Sequence, residues 1–367
     1  DGSIVSVDSD DVPTGELLEM AAMQLVLQKV PAPTTDEKLS WYAQAISEQN
    51  ALGITEIHMM DGNLESLDIF RELEGRAKLN LRVLQHHFVY PYTSVDEVND
   101  MVNSKNQCGE MWQADGVKFM LDGVIDTGTA WLEEPDTLGD GTEPMWPDLN
   151  LYHSRARQFH DAGFRIATHA IGDRAVREVL DFYSSLPGGA QGRHRIEHIE
   201  TAPDSTVARF SPEHVTASMQ PIHTRWVAHD MTDPWSQRLG AHRCGHGWRS
   251  GDIFASGALV VLGSDWPVAP YDPRMGFFAA QERRAHDVED PRPIGHTRAL
   301  TAAQTLAGYT VNPAKAVGQS HTRGQLKVGF SADLVLWQGD PVKTSPADII
   351  DMNILQTVAN GKVVFRA

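Results

Sequence analysis

Cysteine is almost missing from this chain. Only Cys108 and Cys244 occur in 367 residues, too few for a disulfide framework and not spaced as a Cys-x-x-Cys metal or redox pair. Reducing surroundings fit, and a cytoplasmic location is the expectation. Long apolar runs are missing too. No stretch approaches the roughly 20 residues that span a bilayer, which argues against a membrane protein. No cluster of Lys and Arg offsets a formal net charge of −18. Nucleic acid and anionic membranes are therefore disfavoured as partners, because a polyanion is repelled over most of the surface. A small-molecule substrate remains, with a homodimer as an admissible assembly. No secretory leader, internal repeat or low-complexity tract is visible. The chain opens on DGSIV without an initiator methionine, so its true start is read as lying upstream.

What is present is a large apolar fraction, 41%, arranged as short β-branched runs alternating with helix-period segments. That alternation points to repeated βα units around a parallel sheet. The strands are expected at residues 54–58, 81–89, 116–121, 164–169, 194–199, 215–219 and 258–262. Leu39, Tyr42, Ala43 and Ile46 fall at i, i+3, i+4, i+7 behind a Thr34–Glu37 capping box. Asp173 sits where an N-cap belongs, ahead of a buried stripe of Val176, Val179, Leu180 and Tyr183. After a last helical region at about residues 301–318, the pattern becomes ADLVLWQGDP and ILQTVANGKVVF. Asn360-Gly361 is a hairpin signal there, so the tail is a separate small β element. Seven strands precede it. A closed (β/α)8 barrel needs eight, and seven leave two edges unpaired.

In a parallel α/β sheet or barrel, functional groups collect at the carboxyl ends of strands, where the loops converge. His169 ends FRIATH, His198 lies near the end of HRIEHI, Asp265 follows ALVVLGS, and Lys118 lies within GVKFML. Imidazole with carboxylate suits zinc, iron, nickel or manganese better than calcium or magnesium. A lysine ammonium is a poor ligand, but a carbamate formed on it with CO2 carries two anionic oxygens that can bridge metals. Singly, each residue has a bland reading: a structural histidine, a turn aspartate, a snorkelling lysine. Four on separate strands at one face make a constellation.

Other histidines fare worse. His194 and His198 are four apart on a strand, roughly 13 Å, too far for one metal, so His194 is read as structural. His86 and His87 point to opposite faces. His242, Cys244 and His246 lie on a glycine-containing loop without an evident fourth ligand. His58, ending its strand, Asp122, His223, Trp226 and Trp266 are candidates for substrate contact.

The segments GVKFMLDG, ATHAIGDRAV, HRIEHIE, ASMQP, LGSDWPVAPYDP, GQLKVGFSADLVLWQGDP and TVANGKVVF resemble the amidohydrolase superfamily. Within it they look like the amidohydrolase-3 or YtcJ-like branch, which contains N-substituted formamide deformylase. DVPTGELLE and ALGITEIH extend the likeness over essentially the whole chain. The resemblance implies a metal-dependent (β/α)8 barrel flanked by a β-sandwich built from both chain ends. It implies Lys118 as a carboxylated bridging lysine, His169 and His198 as metal ligands, and Asp265 as ligand and general base. One departure is plain: the family's first barrel strand carries a His-x-His pair, and none occurs in this sequence. That strand is expected upstream of Asp1, so the missing eighth strand and the missing ligand pair are one absence.

The organisation that follows is a lead-in over residues 1–33, a TIM barrel over 34–320 with strands two to eight, and part of a β-sandwich over 321–367. The expected reaction is hydrolysis of a C–N bond, in an amide, N-formyl group or cyclic amide, by a metal-activated water with Asp265 taking the proton. One or two divalent ions, zinc first, and the Lys118 carbamate are the implied cofactors. The rival from another class is a truncated or non-catalytic barrel that binds a ligand or regulates. A lyase or isomerase with Lys118 as base and magnesium is disfavoured, because its three acidic ligands on successive strands are not evident.

Overall fold

The computed structural model describes residues 3–290 and 292–367. The chain begins with β1 (Ile4–Val7) and β2 (Pro13–Leu18), an antiparallel hairpin in the segment that sequence patterning leaves as a lead-in. Helix Thr35–Ala51 opens on the expected capping box, with Glu37 N donating to Thr34 Oγ1 and Thr34 N donating to the Glu37 carboxylate at 2.8 Å. It buries Leu39 and Ile46. No helix among the described residues is long and apolar enough to cross a membrane.

Seven parallel strands then form one sheet in chain order: β3 (Glu56–Gly62), β4 (Arg82–Val89), β5 (Trp112–Met120), β6 (Arg165–Ala170), β7 (Arg195–His198), β8 (Thr216–Met219) and β9 (Val260–Leu262). Every expected strand is present, with its ends shifted by a few residues. The sheet curls into an open barrel wall, and its edge strands β3 and β9 are not paired with one another.

Alternation along each strand sorts the side chains. On β5, Val117 and Phe119 pack outward into the main core, as do Ile166 on β6 and Ile196 on β7. They meet Val176, Val179, Leu180 and Tyr183, the apolar stripe of helix Asp173–Ser185. The residues between them, Lys118, His169, Arg195 and Glu197, therefore face the concave side. On β4 His87 points outward, its Nε2 2.7 Å from Ser104 Oγ. The neighbouring His86 ring lies over Gly116, where a Cβ would stand 2.3 Å from its Cδ2.

Two local expectations are corrected. The N-cap of helix Asp173–Ser185 is Gly172, not Asp173; Asp173 is the first helical residue, and its Oδ1 accepts from Glu133 N and Arg174 N. The last helical region is two helices, Ala302–Tyr309 and Val311–Ala316, separated at Thr310 (φ −129°, ψ −85°). The tail forms an antiparallel sheet of β10 (Leu334–Trp337), β11 (Ile354–Ala359) and β12 (Lys362–Arg366). Asn360 and Gly361, at φ 48° and 76°, make the expected turn.

Candidate metal centre

The carboxyl ends of β5 to β9 bring the candidate ligands together. In the sheet register His169 lies beside Met120 and Glu197, and His198 beside Ala170. Strict alternation would turn His198 to the outward face of Ile196. Positive φ values at His198 (78°) and Ile199 (55°) break the pleat at that point, and the His198 ring meets the His169 ring with centroids 4.4 Å apart. Asp265, also at positive φ (61°), leaves β9 through Gly263 and Ser264. His223 comes from the 3₁₀ turn Pro221–Trp226 after β8.

Ligand atoms of His198, His223 and Asp265 all lie within 4.8 Å of one another. His223 Nε2 is 3.9 Å from Asp265 Oδ2. His223, expected from the sequence as a candidate for substrate contact, stands here beside the candidate ligands His198 and Asp265. The glycine-containing loop expected at His242, Cys244 and His246 is in part helix, since His242 and Cys244 lie in the last turn of helix Pro234–Cys244, and none of the three belongs to such a group among the described residues. Cys244 Sγ there lies 3.6 Å from Ser236 O.

The electrostatics suit a cation. Burial drives the His169 imidazole down to about 3, with Lys118 adding to the effect, and His223 down to about 4. Burial also holds His198 well below its ordinary value, with His169 and Lys118 contributing. All three rings are therefore neutral at pH 7 and keep a lone pair for a metal. His198 Nδ1 is buried with no hydrogen-bond partner, an orphaned acceptor of the kind a ligated cation satisfies. His169 Nε2 lies 2.9 Å from Gly123 O; a proton there donates to the carbonyl and leaves Nδ1 unprotonated, the outer hydrogen bond that orients a ligating histidine. The donor set and the orphaned nitrogen together fit a divalent transition metal.

Lys118, 5% exposed, stands among these groups. Burial pushes its ammonium below the ordinary lysine value, while Glu197 and Asp265 oppose that shift. Burial raises the Asp265 carboxyl to about 6, Lys118 opposing and Glu197 adding. Lys118, His169, His198 and Asp265 thus share one field at one mouth of the sheet.

The other candidates separate. Asp122 is fully buried, and its carboxylate accepts from Trp131 N (2.9 Å), Ile171 N (3.0 Å) and Gly172 N (2.8 Å). It clamps the loop after β5 to the start of the helix after β6, with His169 Nε2 3.5 Å away. His58 does not end its strand, because β3 runs on to Gly62. Its Nδ1 receives a 2.9 Å bond from Arg195, and its Nε2 is 3.4 Å from Glu56. Trp226 and Trp266 are 44% and 51% exposed, Trp226 with its ring 5.0 Å from that of His223.

Three further ionisable groups stand at the site. Arg195 and Glu197 face inward from β7, Arg195 Nε 2.7 Å from Glu197 Oε1, and the alternation about Ile196 carries that signal. Glu200 lies in the loop cluster over the mouth, where its Oε2 accepts from Trp235 Nε1 at 2.9 Å. Burial, reinforced by Asp126, raises it to about 8 and keeps it protonated at neutral pH; nothing in the sequence marked it.

The amidohydrolase family model matches residues 1–365. The chain belongs to the amidohydrolase family. It is 26% identical to the putative amidohydrolase YtcJ of Bacillus subtilis (strain 168), an alignment covering all of this chain and 68% of that protein. Protein LONG AFTER FAR-RED 3 of Arabidopsis thaliana is 28% identical over 99% of this chain and 63% of its own length. N-substituted formamide deformylase of Arthrobacter pascens is 23% identical over 98% and 67%. The chain thus spans about two thirds of the length of these curated relatives. Among solved structures, an uncharacterized metal-dependent hydrolase from Pyrococcus horikoshii OT3 superposes with a TM-score of 0.74 at 23% identity, over 93% of this chain and 68% of that one. That likeness places the fold.

Proposed function

We propose that this amidohydrolase-family chain carries the centre of a metal-dependent hydrolase that cleaves a C–N bond in an amide, an N-formyl group or a cyclic amide. The observation that carries the reading is the convergence of His198, His223 and Asp265 within 4.8 Å of one another, beside Lys118 and His169. His169, His198, His223 and Asp265 would hold the cation, zinc first among the metals such donors favour. A divalent metal bound there supplies Lewis acidity for a carbonyl oxygen and a water.

The protein's own groups do the rest. Asp265, 30% exposed at the mouth, accepts the proton of the attacking water and returns it to the leaving nitrogen. Its site lets it exist as carboxylate and as acid near neutral pH, which both halves of that shuttle require. Burial weakens the Lys118 ammonium, and its amine form would be the group that adds to CO2. The N–C bond would form with one proton released to solvent, and the carbamate would supply an anionic ligand. Trp226 and Trp266 offer apolar faces to the substrate's substituents.

The test is Asp265→Asn, assayed against a panel of N-formyl and N-acyl amines with metal content measured. Turnover should fall by about 10²-fold or more with metal retained, the usual worth of a general base. Near-normal turnover removes Asp265 from that role. A ¹³C carbamate signal from ¹³CO2, lost in Lys118→Met, tests the lysine separately. The second reading, a ligand-binding scaffold without turnover, is favoured by one observation: β3 and β9 are unpaired edges. Saturable metal binding with no turnover on any substrate of the panel supports it.

A further inference from the structure

The opposite rim of the sheet holds a second constellation, one that the amidohydrolase reading does not use. A cavity of about 220 Å³ opens at the amino ends of β7, β8 and β9, and Arg193, Phe210, Ser211, His214, Leu259 and Lys315 are among its lining residues. Arg193 lies two residues before β7, His214 and Val215 precede β8, and Leu259 precedes β9. His198 and Asp265 sit at the other ends of β7 and β9, and His169 at the same end of β6, roughly 13 Å away.

Charge sets this cavity apart from the rest of the molecule. The chain carries a net −18, yet no carboxylate lines the cavity. Neighbouring arginines are neutralised: Arg165 holds Asp115, and Arg209 holds Glu213. Among the described residues neither Arg193 nor Lys315 makes an ion pair. Arg193 is moreover close to a second guanidinium. A Cβ on Gly318 would stand 3.1 Å from Arg193 Cζ and 3.5 Å from Arg165 Nη2, so the two cationic groups flank one point of backbone. Arg193, ahead of β7, and Lys315, on helix Val311–Ala316, thus line one cavity without an ion-pair partner among the described residues, and Arg165, the first residue of β6, lies near Arg193 with its own charge met by Asp115.

We propose that this cavity binds a phosphate group, either inorganic phosphate or the phosphate of a small metabolite. Two uncompensated cations from separate segments call for more than one negative charge, and a guanidinium matches two oxygens of an oxyanion at once. Ser211 adds a hydroxyl donor, and Leu259, half-buried in the lining, offers an apolar wall against which the rest of a phosphate monoester packs. Lys315 also lies in the last turn of its helix, where a cation favours the helix dipole. That role would affect stability alone.

Calorimetric titration of the chain with inorganic phosphate, and separately with glycerol phosphate, tests the proposal. One saturable site per chain is expected, weakening as salt is raised, and Arg193→Ala/Lys315→Ala should lose about tenfold or more in affinity for a charge-assisted pair. The charge-conserving pair Arg193→Lys/Lys315→Arg should keep most of it. Asp265→Asn should bind phosphate as the parent does, which separates this site from the metal centre. Tighter binding of glycerol phosphate assigns the apolar wall to a monoester, and equal binding assigns free phosphate. No saturable binding, or unchanged binding in the alanine pair with far-UV dichroism intact, overturns the site and leaves the hydrolase reading untouched.

Discussion

Replacing Asp122 with alanine strips the acceptors from three backbone amides at once. Trp131 N, Ile171 N and Gly172 N all donate to this carboxylate between 2.8 and 3.0 Å, at a position with no solvent exposure. A buried N–H left without a partner costs about 1–3 kcal/mol. The three costs do not simply add, because a water entering the space left by the carboxylate can accept from two amides at most. The lost charge lay beside the first turn of helix Asp173–Ser185, where an anion contributes up to about 1 kcal/mol. A net loss of about 3–5 kcal/mol follows, a large share of the 5–15 kcal/mol that typically holds a domain together. Asp122→Asn keeps the volume. Its oxygen can stay with Trp131 N and Gly172 N, but its amide then faces the Ile171 N–H, donor against donor, for a loss of about 1–3 kcal/mol. Equilibrium urea unfolding followed by far-UV dichroism reads both variants, with the order alanine, asparagine, parent in rising stability. Alanine within about 1 kcal/mol of the parent, or asparagine below alanine, would refute the clamp.

Three further outcomes are expected. His194 Nδ1 accepts from Ile166 N at 3.0 Å, so its Nε2–H donates to His160 Nδ1 at 2.9 Å. Burial depresses His194 to about 3, below the unfolded value of about 6.5, so its share of stability is complete above pH 6.5 and falls as acid is added. His194→Phe should lower stability at pH 7 and flatten the decline between about pH 6 and 4 by roughly 1.4 kcal/mol per pH unit; parallel curves for variant and parent would contradict the assignment. Gly116→Ala puts a methyl 2.3 Å from His86 Cδ2 and 2.7 Å from Arg165 O, an overpacking that should cost about 1–3 kcal/mol in a urea melt, and a neutral result would mean the His86 ring yields. Zinc added at a hundredfold excess over its dissociation constant should stabilise the chain by about 2.7 kcal/mol; His223→Ala should abolish most of the rise in melting temperature, and an undiminished rise would take His223 out of the ligand set.

The parallel sheet was legible because its strands are buried and bounded by turn residues. FRIATH and HRIEHI reappear as β6 and β7 nearly residue for residue, since a short β-branched run between helical periods has few other ways to bury itself. The hairpin β1–β2 was not legible. Its burial is slight, with Ile4, Val5 and Val7 all more than a third exposed, so no alternation separates it from a loop. Asp173 misled for a local reason: its carboxylate is drawn off to Glu133 N, across the loop after β5, and no sequence window contains that partner.

The site shows the same division between what a strand dictates and what a loop decides. Lys118 and His169 are placed by strand position, and period two predicts their inward aim. His198 is placed against that period, because two consecutive left-handed residues, His198 and Ile199, end β7; a side-chain pattern carries no mark of such a φ in a non-glycine residue. His223 enters from a 3₁₀ turn opened by Pro221. The sequence marks that turn as a break but gives no direction for the ring two residues on. The consequence concerns tolerance. Substitutions on β5 and β6 that respect alternation should leave the ligands in place. In the segments at 198–199, 221–226 and 263–265, where backbone conformation and not periodicity aims the side chain, even conservative changes should misplace a ligand and lower metal affinity before they lower stability.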